Sequence, residues 1–209
     1  MKSTPTDPRA LRTRQLLREA LMEVVVDKPF RDLTISNITK CAGINRATFY
    51  LHYEDKYALL DDCAYELFSE IRNAVEAKIG FRQNLSLPEP FADHHKQMNI
   101  VLQHIQKHSG FYKAMFANDG DPLFYNLFQN NASTWILSVL KDILSIQNRC
   151  VDDEVIEMMV RFQSSGNFAV ISWWLENDMR VPIEVMAKRL AMITMPPMIR
   201  LVRGDITDL

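Results

Sequence analysis

The chain has 209 residues, of which 47% are apolar and 24% charged. These are the proportions of an ordinary folded protein and exclude a disordered, collagen-like or low-complexity chain. The net charge of −2 conceals an asymmetry: residues 1–57 hold ten Lys/Arg against seven Asp/Glu, while the remainder holds 14 against 19. A basic head therefore precedes an acidic body, an arrangement that suits polyanion binding through the N-terminal part alone.

Other chemistries fall away on composition. Six glycines (Gly43, Gly80, Gly110, Gly120, Gly166, Gly204) are scattered and never two apart, so neither a G-x-G phosphate cradle nor a Walker A loop exists. Cys41, Cys63 and Cys150 are odd in number and far apart, as free thiols in a reducing compartment would be. No run of about 18 apolar residues is present, and no apolar signal core follows the first charges, so a cytoplasmic protein without a membrane span is expected. No serine elbow, H-E-x-x-H, carboxylate dyad or cysteine pair points to catalysis. A helical enzyme is thus only a distant alternative; no catalytic residue and no cofactor is expected.

Residues 1–8, with two prolines and no periodicity, read as a lead-in, and Asp7-Pro8 then forms a cap-and-proline helix start. Thr13, Leu16, Leu17, Ala20, Leu21, Val24 and Val25 recur at helical spacing, with Arg9, Arg12, Arg14 and Arg18 mostly off that stripe. Pro29 ends the element, and Phe30 and Leu33 plug the connection. Thr34 caps a short helix over Ile35 to Cys41, in which Ile35 and Ile38 face inward. Ala42-Gly43-Ile44 breaks it, since glycine enters a left-handed turn without steric cost. Asn45 then caps a helix from Arg46 to about His52. Two short helices joined by a glycine turn behind a longer amphipathic one make a helix-turn-helix. The second of the pair spans about 10 Å at 1.5 Å per residue, a size that enters a DNA major groove about 12 Å wide.

Asp55 caps a long helix from Lys56 to about Ile79, and the proline-rich stretch 81–90 reads as a loop. Helices follow at about 91–108, 110–117 and 121–147, the last opened by Asp121-Pro122. Asp152-Asp153-Glu154 places negative charge at the start of a helix ending near Asn177, where the helix dipole favours it. Pro182 opens the last helix, which Pro196-Pro197 should end or kink. The chain is expected to be all-α with about nine helices: a three-helix head over 1–56 and a helical body over 57–209.

The segment 34–56 closely resembles the DNA-binding signature of the TetR/AcrR family of bacterial transcriptional regulators, through Thr34, Ile38, Ala42-Gly43-Ile44, Thr48-Phe49-Tyr50, His52-Tyr53 and Lys56. The body resembles a subgroup of that family through Phe111-Tyr112-Lys113-Ala114-Met115-Phe116, Asp119-Gly120-Asp121-Pro122 and Ile171 to Met179. The resemblance implies a homodimer on a palindromic double-stranded operator, acting as a repressor, with a divergent body that senses a small apolar effector. Control by a protein partner, or action as an activator, is the alternative.

By the same resemblance Thr34, Thr48, Tyr50, His52 and Lys56 hold phosphates, and Ser36, Asn45, Arg46 and Ala47 read bases. Arg46 carries the sharpest expectation, because a guanidinium bonds guanine O6 and N7 together. Positions 36 and 51, often basic or large and polar in the family, are Ser36 and Leu51 here, which leaves more to Arg46 and to DNA shape. Arg9, Arg12 and Arg14 offer extra DNA contacts. Phe162, Gly166, Ala169, Trp173, Met186 and Leu190 are the expected dimer contacts, forming a four-helix bundle with the partner's copies. Met98, Phe111, Tyr112, Met115, Phe128 and Trp135 are the expected effector-pocket residues. His104 and His108 stand one helical turn apart, but Asp93 is a weak third ligand and no set is completed, so no metal is expected.

Overall fold

The computed structural model describes residues 7–79, 94–116 and 121–203. The loop expected over 81–90, Asp93, and the Asp119-Gly120 part of the body motif lie outside them. Among the described residues the chain is helical throughout, with no strand: α1 (Pro8–Asp27), a short 3-10 turn (Phe30–Asp32), α2 (Ile35–Ala42), α3 (Arg46–Tyr50), α4 (Lys56–Ile79), α5 (His94–Lys107), α6 (Ser109–Phe116), α7 (Pro122–Ile146), α8 (Asp153–Glu176) and α9 (Ile183–Arg203).

The boundaries follow side-chain chemistry. Asp7 accepts the Arg9 amide at 2.9 Å with Pro8 in the first helical position, which satisfies a donor that the helix cannot use itself. Thr34 and Asn37 cap one another reciprocally at the start of α2. Gly43 ends α2 at φ 68°, and a Cβ there would meet nothing within 4 Å, so the conformation and not crowding calls for glycine. Asp55, Asp121 and Asp152 start α4, α7 and α8 by accepting amides two or three residues ahead.

The chain gathers into two compact units, residues 1–67 with 110–127 and residues 68–109 with 128–209. In the first, Leu17, Leu21 and Val25 of α1 are buried, as are Ile38, Phe49, Tyr53, Leu59 and Leu60, and α1 packs on α2 and α2 on α3. Phe111, Tyr112, Phe116 and Phe124 add an aromatic cluster with ring centres 5.1–6.4 Å apart. In the second unit α9 packs against α5 and α8, and Val139, Leu140, Ile143, Ile156, Val160, Met195, Met198 and Leu201 form a buried cluster.

Of the end or kink expected at Pro196-Pro197, the end is not made: α9 runs through both prolines to Arg203. Each proline removes an amide that would have bonded the carbonyl of Met192 or Ile193. Those residues and both prolines lie on the exposed side of the protomer. Burial of Met195, Met198, Leu201 and Val202 on the opposite side favours continuing the helix past them.

Candidate nucleic-acid interface

α3 is only five residues long and is held from both sides. Phe49 is fully buried beneath it. Asn45 caps it, its Oδ1 accepting the Thr48 amide at 2.7 Å and the Thr48 hydroxyl at 3.0 Å. Asn45 and Thr48 therefore fix the helix start, and Asn45 itself is exposed. Arg46 and Ala47 are exposed on the outer side, with Ser36 of α2 exposed as well. Arg46 Nη2 lies 3.5 Å from Tyr50 Oη one turn on, and the half-exposed Tyr50 packs edge-on against Phe49. The hydroxyl of Thr34 donates to Asn37 Oδ1 at 2.7 Å, and His52 is half-buried beyond the end of α3. Leu51, 82% exposed, is an apolar side chain left on this surface.

Two residues expected to touch DNA are engaged elsewhere. Lys56 Nζ donates to the carbonyls of Phe30, Arg31 and Leu33 at 2.8, 2.9 and 3.0 Å and sits over the rings of Phe30 and Tyr57. An ammonium has three protons, so none remains for a phosphate. Partial burial holds its pKa below the ordinary lysine value. Lys56 thus closes the turn between α1 and α2, taking up the carbonyls of Arg31 and Leu33 and sharing that of Phe30 with the Leu33 amide.

Arg14 likewise pairs with Asp62 of α4 and donates to Tyr53 Oη at 3.3 Å. Arg18 joins the same carboxylate at 2.9 Å, and Tyr53 donates to it at 2.6 Å. Burial pushes the Asp62 carboxyl up, but the bonds from Tyr53 and Arg18 and the charges of Arg14 and Arg18 outweigh it and hold the group below its ordinary value. Burial and the same carboxylate raise the Tyr53 phenol. This knot ties α1 to α4 and to the turn after α3. Its arginines are 39 to 48 residues from their partners, which hides it from periodicity. Arg9 and Arg12 remain exposed.

The second unit contains a mostly apolar cavity of about 80 Å³ between α5, α7, α8 and α9, several times the ~10–15 Å³ that a water needs. Met98, Trp135, Ile136, Val139, Leu140, Ile143, Met195 and Met198 line it beside His94, Gln97, Gln163 and Asn167. His94 Nδ1 and Gln97 Oε1 are 3.1 Å apart, and burial pushes the imidazole down to about 4. His94 Nε2, Gln163 Oε1 and Asn167 Oδ1 are buried without a hydrogen-bond partner. Of the expected pocket residues only Met98 and Trp135 meet here. Phe111, Tyr112 and Met115 are buried in the other unit, because α6 turns its apolar side chains into the head's core, and Phe128 packs against Phe68 and Phe168 within the second unit.

On α8 and α9 an apolar surface stays open. Phe162 is 76% exposed and Met192 69%, with Trp173, Met158 and Ile193 also exposed. Ala169 is exposed and Gly166 partly so. Met186 and Leu190 are buried within the protomer, at 2% and 1% exposure, and Leu190 lies at the floor of the groove that Met158, Phe162, Gly166 and Ile193 line.

Near the start of the same unit Glu70 of α4 brings a carboxylate oxygen 3.2 Å from His104 Nε2 of α5. The carboxylate that sequence spacing did not supply thus comes from 34 residues upstream.

Residues 17–63 match a family model described as bacterial regulatory proteins, tetR family, and residues 93–195 match one described as a transcriptional regulator C-terminal region. Over 71 residues the chain is 39% identical to the HTH-type transcriptional regulator YxbF of Bacillus subtilis; this covers 34% of the chain and 19% of that protein, so the matched stretch spans about a fifth of the relative's length. Among solved structures, a TetR transcriptional regulator from Streptococcus agalactiae superposes with a TM-score of 0.61 at 19% identity, covering 89% of this chain and 95% of its own. Thermus thermophilus FadR, a repressor in complex with lauroyl-CoA, gives 0.56 at 19%, covering 87% and 93%. The dihydroxyacetone kinase operon activator DhaS gives 0.55 at 14%, covering 93% and 96%. At these identities the structural likenesses speak for the fold.

Proposed function

This chain belongs to the TetR family of DNA-binding transcriptional regulators, and from that premise we propose that it is a homodimeric repressor whose hold on a palindromic operator is set by a small, largely apolar effector. The observation that carries the reading is α3, which presents Arg46 and Ala47 outward beside Ser36 and Asn45. Arg46 reads guanine; Ala47 contacts a thymine methyl; Ser36 and Asn45 bond neighbouring base edges. Thr34, Thr48, Tyr50 and His52 hold phosphates around them, and Arg9 and Arg12 add contacts from α1. Lys56 and Arg14 serve this surface indirectly, by holding the turn and the α1–α4 junction on which it rests.

Five residues of recognition helix read only a few base pairs, so specificity needs a second copy one turn of DNA away. Phe162, Ala169 and Trp173 with Met192 and Ile193 supply an apolar surface for that copy. Gly166 supports the same reading. A Cβ there would meet nothing within 4 Å in its own chain, although glycine inside a helix costs about 1 kcal/mol relative to alanine. Close approach of a partner helix accounts for its presence.

The effector belongs in the cavity of the body, whose unpaired His94, Gln163 and Asn167 atoms give an otherwise apolar site its polar contacts. Such a ligand acts only through its preference for one dimer conformation. Selection of bound duplexes from a random pool tests the reading, with a two-fold symmetric site expected. A unique asymmetric site, or no enrichment, would refute it. Solved structures of like fold include a repressor and an activator by name, so a reporter carrying the selected site tests the sign: a fall on expression of the protein is expected, and a rise would make it an activator.

A further inference from the structure

His104 and His108 stand one turn apart on α5, their ring centres 5.0 Å from each other, and Glu70 reaches them from α4. One ligand atom from each of the three lies within 4.8 Å of the others. The contact between Glu70 and His104 accounts for only two members of this group. It leaves His108 Nε2 buried with no hydrogen-bond partner, which is unfavourable when nothing occupies the site. A second imidazole drawn against such a pair, with a buried ring nitrogen that bonds to nothing, is explained by a cation that all three share.

We propose that Glu70, His104 and His108 form a binding site for a divalent transition metal of the zinc class, clamping α4 to α5. The chemistry of the set selects the class: two imidazoles and one carboxylate suit zinc and its neighbours, whereas magnesium and calcium favour oxygen alone. The spacing fits as well. Ligands bonded at about 2.0–2.2 Å around a tetrahedral ion stand roughly 3.3 Å apart, and Glu70 Oε2 and His104 Nε2 are 3.2 Å apart. The Glu70 side chain is half exposed, so it can swing to complete the triangle. Three protein ligands leave a fourth position for water. Lys107 also acts on both imidazoles, but it is exposed, where solvent weakens its repulsion.

None of the three residues lines the cavity or belongs to the recognition surface, so the site can stand or fall alone. The test is calorimetric titration of the chelator-treated full-length protein with zinc chloride, backed by visible absorption of the cobalt form. Binding of about one zinc per chain is expected, with the absorption of a tetrahedral nitrogen and oxygen site. Glu70→Gln, which keeps shape while weakening the ligand, and His108→Ala should each reduce affinity by at least about tenfold, with circular dichroism confirming that the variants are folded. Because Glu70 is half exposed, its variant remains informative even where a histidine variant unfolds. No zinc binding at micromolar concentration, or equal affinity in wild type and Glu70→Gln, overturns the proposal.

Discussion

At the scale of single residues, the structure separates side chains that face the duplex from those that build the surface beneath them. Arg46→Ala should lose about 1–3 kcal/mol of discrimination between the selected operator and a scrambled duplex, measured by competition binding; undiminished preference would remove Arg46 from base reading. Lys56 should behave differently. Its three carbonyl bonds make Lys56→Met a stability mutation of about 1–3 kcal/mol, visible in thermal melts. The salt dependence of DNA binding should stay unchanged in the folded variant, whereas loss of a phosphate contact lowers that slope by about one. His94 adds a pH dependence. Burial depresses its pKa from 6.5 to about 4, so the unfolded chain takes up a proton that the folded chain refuses. Stability should therefore fall as pH drops from about 6.5 towards 4, by a few kcal/mol at most. His94→Gln should flatten that part of the melting curve against pH, and an unchanged slope would show that the imidazole does not control it.

At the scale of elements, what could be read from sequence depended on how far apart the cooperating residues lie. Asp7-Pro8, Thr34 with Asn37, Gly43, and Asn45 with Thr48 act within three residues, so composition alone places the ends of α1, α2 and α3. The inward stripe of α1 is legible for the same reason, because its period is that of the helix. The ion knot of Arg14, Arg18, Tyr53 and Asp62 has no such signature, and an arginine in it looks like one on a free basic face. The pocket residues divide for a related reason. Phe111 and Met98 are equally apolar, and only the tertiary fold places one in the head unit and the other in the body cavity. Local rules failed in α9 as well, where burial of Met195, Met198 and Leu201 overrides two prolines. Asp62 yields an element-level prediction. Its folded pKa lies below the ordinary 3.8, so the stability gained by tying α1 to α4 is fully present above that value and is lost as pH falls through the lower folded value. Asp62→Asn should lower the melting temperature at pH 7 and converge with wild type in strong acid, and a constant difference across that range would refute the assignment.

At the scale of the whole molecule, the proposed function rests on two copies acting together. A side chain as large as Phe162 left 76% exposed, beside Met192 at 69%, forms with Met158, Trp173 and Ile193 an apolar surface of the kind that marks an interaction site. The basic head, by contrast, carries only a small excess of positive charge, so one copy should hold DNA weakly and without much selectivity. Phe162→Glu places a charge in the centre of the apolar face while leaving the protomer's own core untouched. The variant should elute as a monomer at micromolar concentration, whereas wild type elutes as a dimer whose melting temperature rises with protein concentration. It should keep the helical content of wild type and the same weak, salt-sensitive affinity for nonspecific DNA, yet lose operator affinity by a factor on the order of 10³ or more, the span that commonly separates specific from nonspecific binding. A monomeric variant that still bound the operator tightly would place sequence reading in a single head and dissolve the link between the α8–α9 surface and DNA recognition. A dimeric variant would move the interface to another face.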